Sequence, residues 1–506
     1  MSEKIIKIDN IREVIDNEVI NRKVGLCSGC FDLLHIGHIK HLQAAKRECD
    51  ILVVGVASNV NVNKGPDRPA FDEQLRMEAL ASLSCVDYVV LNDNPDSIDI
   101  INAVKPDLYI KGSEYENTEL DLNNKYLLEK QATEQNGGEI FFTREQVFSS
   151  TKLINKHVNK TKVMDEDFNF VEMAAHLENM NELDVLLIGD CIIDEYCYCK
   201  VAGTATKHPS LSAIYNRTKK MAGGSLAIAR HLSVFVNTVT LITRVADKND
   251  VLQFDFPENI KFIFIEDGEY TNYKKRYISE GYPNSLEKVK RKGYSSRLFE
   301  IGYFPETKLS EKNEHGLIEL LDSLCSFDKY DCLFVSDFGH GLMTPRVVDK
   351  VNSITGLFKS ANAQTNSVNF GFNLINKYAN FDFVCIDELE ARLPYGDKKT
   401  DILEIGKKIK DDNNFSNLII TRGHSGQLYL DYDDHYNVPA LASSTIDTVG
   451  AGDAAFSMAS ICKAVKMPVK QVLLFSSVAG ALATQIVGNE KSIDKKNFLK
   501  TLKGLV

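Results

Sequence analysis

At 506 residues the chain is too long for one hydrophobic core, so two large domains or about three smaller ones are expected. Hydrophobic residues at 44% and charged residues at 25% describe an ordinary globular protein, and no run approaches the roughly 18 apolar residues of a membrane span. With 59 basic against 70 acidic side chains the net charge is −11 and no basic block stands out, which argues against nucleic acid and anionic membrane as partners.

The first residues, Met-Ser-Glu-Lys-Ile-Ile-Lys, lack an apolar signal core, so a cytoplasmic protein is expected. Eleven cysteines without a signal fit reduced thiols rather than a disulfide framework. The apolar run Lys23 to Cys27 predicts a buried parallel strand. Cys27 and Cys30 form a C-x-x-C, but no second pair stands at zinc-ribbon distance and Cys27 belongs to that strand, which favours a structural role. Gly29 then turns the chain, and His35 and His38 fall where a helix carrying Ile39, Leu42 and Ala45 begins. A helix N-terminus attracts phosphate through its free N–H groups and dipole, and Gly37 leaves room for close approach. The plain alternative is two surface histidines on an ordinary helix.

A strand (Asp50 to Ala57), a helix (Phe71 to Ser84), a strand (Asp87 to Leu91), a helix (Ser97 to Val104) and a strand (Leu108 to Lys111) follow. A helix from about Leu120 to Gln135 and a strand from Glu139 to Phe142 complete the series. Such alternation predicts a doubly wound parallel sheet with its ligand at the carboxyl ends of the strands. The loops at those ends carry Lys64 beside Gly65, then Lys111 and Gly112, then Arg144, and last Ser149, Ser150 and Thr151 at the start of a closing helix. Lys64 can reach a phosphate as a point charge or simply be a solvated turn lysine. The three hydroxyls can cap a helix or add donors to a phosphate cradle. Arg76, on the helix after Lys64, reads as either a functional or a plain surface charge.

Taken together, Gly29-Cys-Phe-Asp-Leu-Leu-His-Ile-Gly-His38, Lys64-Gly-Pro-Asp-Arg-Pro69, Pro106-Asp-Leu-Tyr-Ile-Lys-Gly112 and Ser149-Ser-Thr151 resemble the His-x-Gly-His nucleotidyltransferase superfamily. Within it they are most similar to the adenylyltransferase domain of bacterial bifunctional ADP-heptose synthases, over about residues 20 to 158. The resemblance implies that His35 and His38 stabilise the transferring group and that Lys64 meets the triphosphate. It further implies that Gly29, Phe31, Asp32, Gly37, Lys111 and Ser149 to Thr151 bind nucleotide and phosphate. Arg144 matches an arginine better known from cytidylyltransferases of the same superfamily, which leaves ATP and CTP both open.

Residues 159 to about 182 are polar, then weakly helical, and read as a linker between domains 1–158 and 183–506. Leu183 to Asp190 starts a second α/β domain. Near its far end stands Asp447-Thr-Val-Gly-Ala-Gly-Asp453, followed by a helix from Ala454 to Ala464. Small residues let the N–H groups of Gly450, Ala451 and Gly452 converge into an anion nest, and Asp453 on the first turn can face and deprotonate a substrate hydroxyl. The plain alternative is a glycine-rich turn with a helix N-terminal acid.

This pattern resembles the ribokinase, or PfkB, family of sugar kinases over about residues 183 to 490. Gly189 to Asp194, Ala222 to Gly224, Ser336 to Gly341, Asp387 to Glu390 and Thr421 to Gly426 support it in family order. The resemblance implies sugar contacts at Asp194, Gly223 and Gly224, a magnesium-organising acid at Glu390, and a nucleotide loop containing Thr421, Gly423 and Gly426. Lys274 and Arg276 can reach a sugar phosphate or belong to an exposed strand face. Two features depart from the family: Ser225-Leu-Ala-Ile228 stands where an asparagine is usual, and Ala361 to Gly371 lacks an Asp-Pro-Lys segment.

The expected architecture is thus α/β in two domains, a Rossmann-like nucleotidyltransferase fold followed by a ribokinase-like fold. The expected enzyme phosphorylates a sugar phosphate, such as a heptose 7-phosphate, at the anomeric hydroxyl with Mg2+ and ATP. It then joins the sugar 1-phosphate to a nucleotide and releases pyrophosphate. The product would be a nucleotide sugar of the kind used for surface polysaccharide, with the domain order reversed from the familiar fusion. A CDP-activated product and a degenerate scaffold or sensor domain are the other readings, and a homo-oligomer is expected.

Overall fold

The computed structural model describes residues 3–18, 22–62, 69–112, 125–144, 170–268, 270–280, 295–305, 307–326, 329–431, 434–442 and 445–505. It divides into two compact units, residues 1–160 with 503–505 and residues 161–502. Of the segment read as a linker, residues 170–180 form a helix whose Met173, Leu177 and Met180 are buried within the second unit.

Among the described residues the first unit holds six parallel strands: β1 (Ile5–Ile6), β2 (Val24–Gly29), β3 (Ile51–Ala57), β4 (Tyr88–Asn92), β5 (Leu108–Gly112) and β6 (Glu139–Thr143). Their order is β1-β4-β3-β2-β5-β6. Central strands covered on both faces need apolar side chains in every position, and β3 supplies them as Ile-Leu-Val-Val-Gly-Val, all buried. Cys27 lies within β2, opposite Val54 and Ile110, and burial pushes its thiol far above the ordinary value. It is therefore packing material rather than a reactive thiol. The strand order reverses between β2 and β5, which opens a crevice at their carboxyl ends. Helix Glu73–Ala81 starts later than the sequence pattern suggests because the Asp72 side chain caps it, accepting from the Leu75 N–H at 2.9 Å.

Among the described residues the second unit has two sheets. One contains β7 (Asp184–Gly189), β10 (Thr238–Val245), β11 (Ile260–Glu266), β14 (Cys332–Asp337), β15 (Phe358–Ala363), β16 (Phe383–Asp387), β17 (Asn417–Thr421), β18 (Gln427–Leu430) and β19 (His435–Val438). The order is β11-β10-β7-β14-β15-β16-β17-β18-β19, parallel through β17 and antiparallel beyond. The other joins β8 (Cys191–Thr204), β9 (Leu211–Gly224), β12 (Tyr273–Glu280) and β13 (Ser295–Tyr303) in the order β13-β12-β8-β9. This second sheet was not foreseen, because β8 leaves β7 after the single residue Asp190 and so looks like a continuation of it. Helices Ala451–Ala464 and Val469–Ala483 pack on each other and are buried almost all round. Their predominantly small and apolar sequences suit that position.

Candidate active sites

In the first unit, His35 is the N-cap of helix Ile36–Arg47, and its Nδ1 accepts from the Gly37 N–H at 3.1 Å. An accepting Nδ1 fixes the neutral tautomer with the proton on Nε2, so the ring's far edge is a donor. His38 stacks on His35 with ring centroids 3.9 Å apart, and Phe31 meets His38 edge-on at 5.3 Å. Phe31 has φ of +46°, an uncommon backbone state for an aromatic residue, at the turn that delivers both imidazoles to the crevice. A side chain at Gly29 would press on the Phe31 ring, so glycine leaves that ring its place.

Asp32, 1% exposed, accepts from the Ala70 N–H at 2.5 Å and so ties this turn to the chain six residues after Lys64 in sequence. Lys64 itself, with Ser149, Ser150 and Thr151, lies outside the described residues. Arg76 is not a surface charge. Only 2% exposed, it donates to the carbonyls of Phe71 (2.9 Å) and Cys30 (2.6 Å) and to Asn59 Oδ1 (2.9 Å). The sequence hid this because two of the three acceptors, Cys30 and Asn59, lie 46 and 17 residues away. At the end of β5, Lys111 donates to Glu129 at 2.5 Å, a glutamate with a buried side chain, so this cation already holds a carboxylate. Arg144 is exposed and follows β6, whose Thr143 hydroxyl lies 2.6 Å from His41 Nδ1 on the histidine helix.

In the second unit the candidate residues gather at the carboxyl ends of β7, β14, β15, β16 and β17 and along β8 and β12. Gly450 caps helix Ala451–Ala464 with φ of +82°, and the first-turn N–H groups of Ala451 to Asp453 follow it. A Cβ at Gly450 would collide with Asn489 Oδ1, so only glycine fits. Asp453, 6% exposed, accepts from Gln364 Nε2 at 2.5 Å. Burial raises its pKa to about 6 against the opposing effect of that hydrogen bond, which leaves a carboxylate that is ionised yet basic at neutral pH. Asp447, at the other end of the motif, is structural: Tyr196 donates to it at 2.9 Å, the Gly488 N–H at 2.9 Å, and Arg297 pairs with it.

Asp194 lies within β8, not in a turn, and pairs with Arg276 while accepting from Asn489 Nδ2 at 3.1 Å. Gly223 passes so near that a Cβ there would collide with Asp194 Oδ2. Lys274 and Arg276 do not form an exposed strand face: Arg276 is 8% exposed and also pairs with Glu300 at 2.7 Å. Lys274 is partly buried; burial lowers its pKa, opposed by Asp194, Glu300 and Asp453 nearby. Gly224, with φ of +57°, leads into helix Ser225–Ser233. Thr421 ends β17, and Gly423 and Gly426 (φ of +52° and +86°) form the tight turn into β18.

Glu390 closes a capping box with Asp387, accepting from the Asp387 N–H at 2.8 Å, and its other oxygen accepts from the Thr365 N–H at 3.0 Å. Burial raises its pKa to about 8. With both oxygens engaged, Glu390 fits an outer-shell role toward a hydrated magnesium better than direct ligation. Among the described residues no group of three or more His, Cys, Asp and Glu gathers as a metal site.

Near this site Gln364 and Asn489 carry no local signal, whereas His340 lies within the Ser336 to Gly341 stretch. His340, 6% exposed, stacks on Phe304 with centroids 4.0 Å apart, and burial lowers its pKa to about 3, so its ring is neutral. Among the described residues no helix is long and apolar enough to cross a membrane.

Residues 26–156 match the cytidylyltransferase-like family model, and residues 372–496 match the pfkB family carbohydrate kinase model. The chain is similar to the bifunctional protein HldE of Syntrophotalea carbinolica, 44% identical over 115 residues, which is 22% of this chain and 24% of that protein. The HldE of Helicobacter pylori is 44% identical over 119 residues, 23% of this chain and 25% of that protein. The matched stretch thus spans about a quarter of these relatives. Among solved structures, phosphofructokinase-2 from Escherichia coli aligns with a TM-score of 0.49 at 14% identity, over 64% of this chain and 99% of that chain. Ribokinase from Thermotoga maritima aligns with a TM-score of 0.45 at 15% identity, over 63% of this chain and 99% of that chain. The chain therefore joins a cytidylyltransferase-like domain at its N-terminal end to a pfkB-type carbohydrate kinase domain at its C-terminal end.

Proposed function

We propose that the chain is a bifunctional sugar-nucleotide synthase. Its C-terminal domain phosphorylates the anomeric hydroxyl of a sugar phosphate, a heptose 7-phosphate on the resemblance to ADP-heptose synthases. Its N-terminal domain transfers a nucleotidyl group, adenylyl from ATP, onto the resulting sugar 1-phosphate. The observation that carries this reading is the buried, basic Asp453 on the first turn of a glycine-capped helix.

In the kinase step the acceptor hydroxyl loses its proton to Asp453 as its oxygen bonds to the γ-phosphorus, and ADP leaves. The N–H groups at the start of helix Ala451–Ala464 stabilise the charge on the transferring group. Lys274 faces the same region and suits the acceptor's own phosphate. Arg276 braces Asp194 and Glu300. Glu390 would hold magnesium through water, and the ion would supply neutralisation of phosphate charge. In the nucleotidyl step the attacking group is already a phosphate anion and needs no base. His35 and His38 donate to the α-phosphate as negative charge builds there, and pyrophosphate leaves. Lys64 and Ser149 to Thr151 belong to the triphosphate end on the resemblance alone.

A homo-oligomer belongs to the same proposal. Its support is the apolar exposure of the four-stranded sheet at Leu211, Ile214 and Tyr215 on β9 and Phe299, Ile301 and Tyr303 on β13. The test of the proposed function is a panel of sugar phosphates incubated with ATP or CTP, with ADP and pyrophosphate read separately. Heptose 7-phosphate with ATP is expected to yield both. Pyrophosphate release only when CTP is supplied beside ATP would replace the adenylyl reading by a cytidylyl one.

A further inference from the structure

The chain that leaves β15 carries Gln364 where the kinase resemblance leads one to expect an Asp-Pro-Lys segment. Its backbone is pinned at both ends: the Gln364 N–H donates to the Asp337 carbonyl at 2.8 Å, and its carbonyl accepts from Asn373 Nδ2 at 3.0 Å. The next residue, Thr365, donates its N–H to Glu390 at 3.0 Å. Asp337 is itself held by Tyr378 (2.5 Å) and Lys377 (2.5 Å), so the anchor beneath Gln364 is a buried network rather than a mobile loop. From this fixed base the Gln364 amide reaches Asp453 Oδ1 at 2.5 Å.

We propose that Gln364 is a positioning residue that sets the direction of the Asp453 carboxylate, occupying Oδ1 and presenting Oδ2 to the acceptor hydroxyl. This rests on the reading of Asp453 as the kinase base. A neutral amide is suited to the task because it fixes a rotamer without adding a positive charge, whereas a cation in its place would hold the carboxylate and also weaken it as a base. The other titratable groups facing Asp453 are Asp194 on β8, Lys274 on β12, Cys385 on β16 and Glu390 on the helix Glu388–Arg392 that follows it. In the step itself the acceptor oxygen bonds to the γ-phosphorus, the bond to the β,γ-bridging oxygen breaks and leaves its electron pair on ADP, and Oδ2 takes the proton.

Two full-length variants test this: Gln364→Met, similar in length but without a donor, and Gln364→Lys, which keeps a donor and adds a charge. Loss of one charge-assisted hydrogen bond predicts that Gln364→Met lowers kcat for phosphorylation by roughly 10- to 100-fold, with KM for ATP and for the sugar phosphate nearly unchanged. Gln364→Lys is expected to recover part of that kcat. A measurement independent of turnover accompanies it, the 13C-carboxyl resonance that vanishes in Asp453→Asn. Its titration midpoint should rise in Gln364→Met and fall in Gln364→Lys. An unchanged kcat in Gln364→Met, or a midpoint that neither variant moves, overturns the proposal. A wild-type chain that phosphorylates no sugar phosphate would defeat the kinase reading on its own, and the resonance would still decide whether Gln364 holds Asp453.

Discussion

At the start of helix Ile36–Arg47 the candidate chemistry is carried by two stacked imidazoles, whereas at the start of helix Ala451–Ala464 it is carried by one buried carboxylate. Both helices offer N–H groups to phosphate, yet the side chains beside them differ in kind. On the proposed reactions the reason lies in the nucleophile. A sugar 1-phosphate arrives as an anion and needs only donors for the charge it creates, so imidazole N–H groups serve. A hydroxyl arrives with a proton to lose, so the second site holds a base and hides it from water until its pKa climbs to about 6. The surroundings follow from that choice. Around Asp453 stand Gln364, Asp194, Lys274 and Asn489, a polar network that burial makes stringent, while His35 and His38 lean on Phe31 and the helix cap.

The comparison breaks most sharply with one variant in each site. Asp453→Asn should lower sugar phosphorylation by about 10²- to 10⁴-fold and leave nucleotidyl transfer to a supplied sugar 1-phosphate intact, measured as ADP and pyrophosphate respectively. His38→Ala should do the reverse, with a loss of about 10²- to 10³-fold in pyrophosphate release. A smaller effect is expected from Gly450→Ala. The new Cβ meets Asn489 and the φ of +82° disfavours it, a strain of about 1–3 kcal/mol, read as a lower midpoint of thermal unfolding and a kinase defect without a nucleotidyl-transfer defect. The mildest is a pH effect that divides the two activities. Asp453 must be ionised to accept a proton, so kcat for phosphorylation should fall about tenfold per pH unit once the pH drops below about 6 and stay level above it.

Much of this was legible in the sequence because its signals are local. A strand, a tight turn and a helix within a dozen residues locate His35 and His38, and a seven-residue loop locates Asp453. The alternation of strands and helices gives the parallel sheet of the first unit. What was not legible is nonlocal. Asn489 reaches Asp194 across 295 residues, and Gln364 reaches Asp453 across 89. Arg76 looks like any helix-surface arginine until Cys30 and Asn59, 46 and 17 residues away, meet its guanidinium. Lys274 and Arg276 sit in a polar strand whose cations meet buried carboxylates, Arg276 pairing with Asp194 and Glu300, which periodicity alone reads as facing solvent. The second sheet escaped for a related reason: a one-residue break between β7 and β8 leaves no turn signal to read.

The central claim, two consecutive phosphate chemistries on one chain, is tested most directly by trapping the intermediate. Incubated with ATP and a sugar phosphate that is a substrate, the His38→Ala chain should accumulate the sugar bisphosphate and ADP without pyrophosphate, and adding Asp453→Asn chain to that mixture should then release pyrophosphate. Pyrophosphate formed from the sugar monophosphate by the Asp453→Asn chain alone would contradict the account, as would a bisphosphate that the second chain leaves untouched.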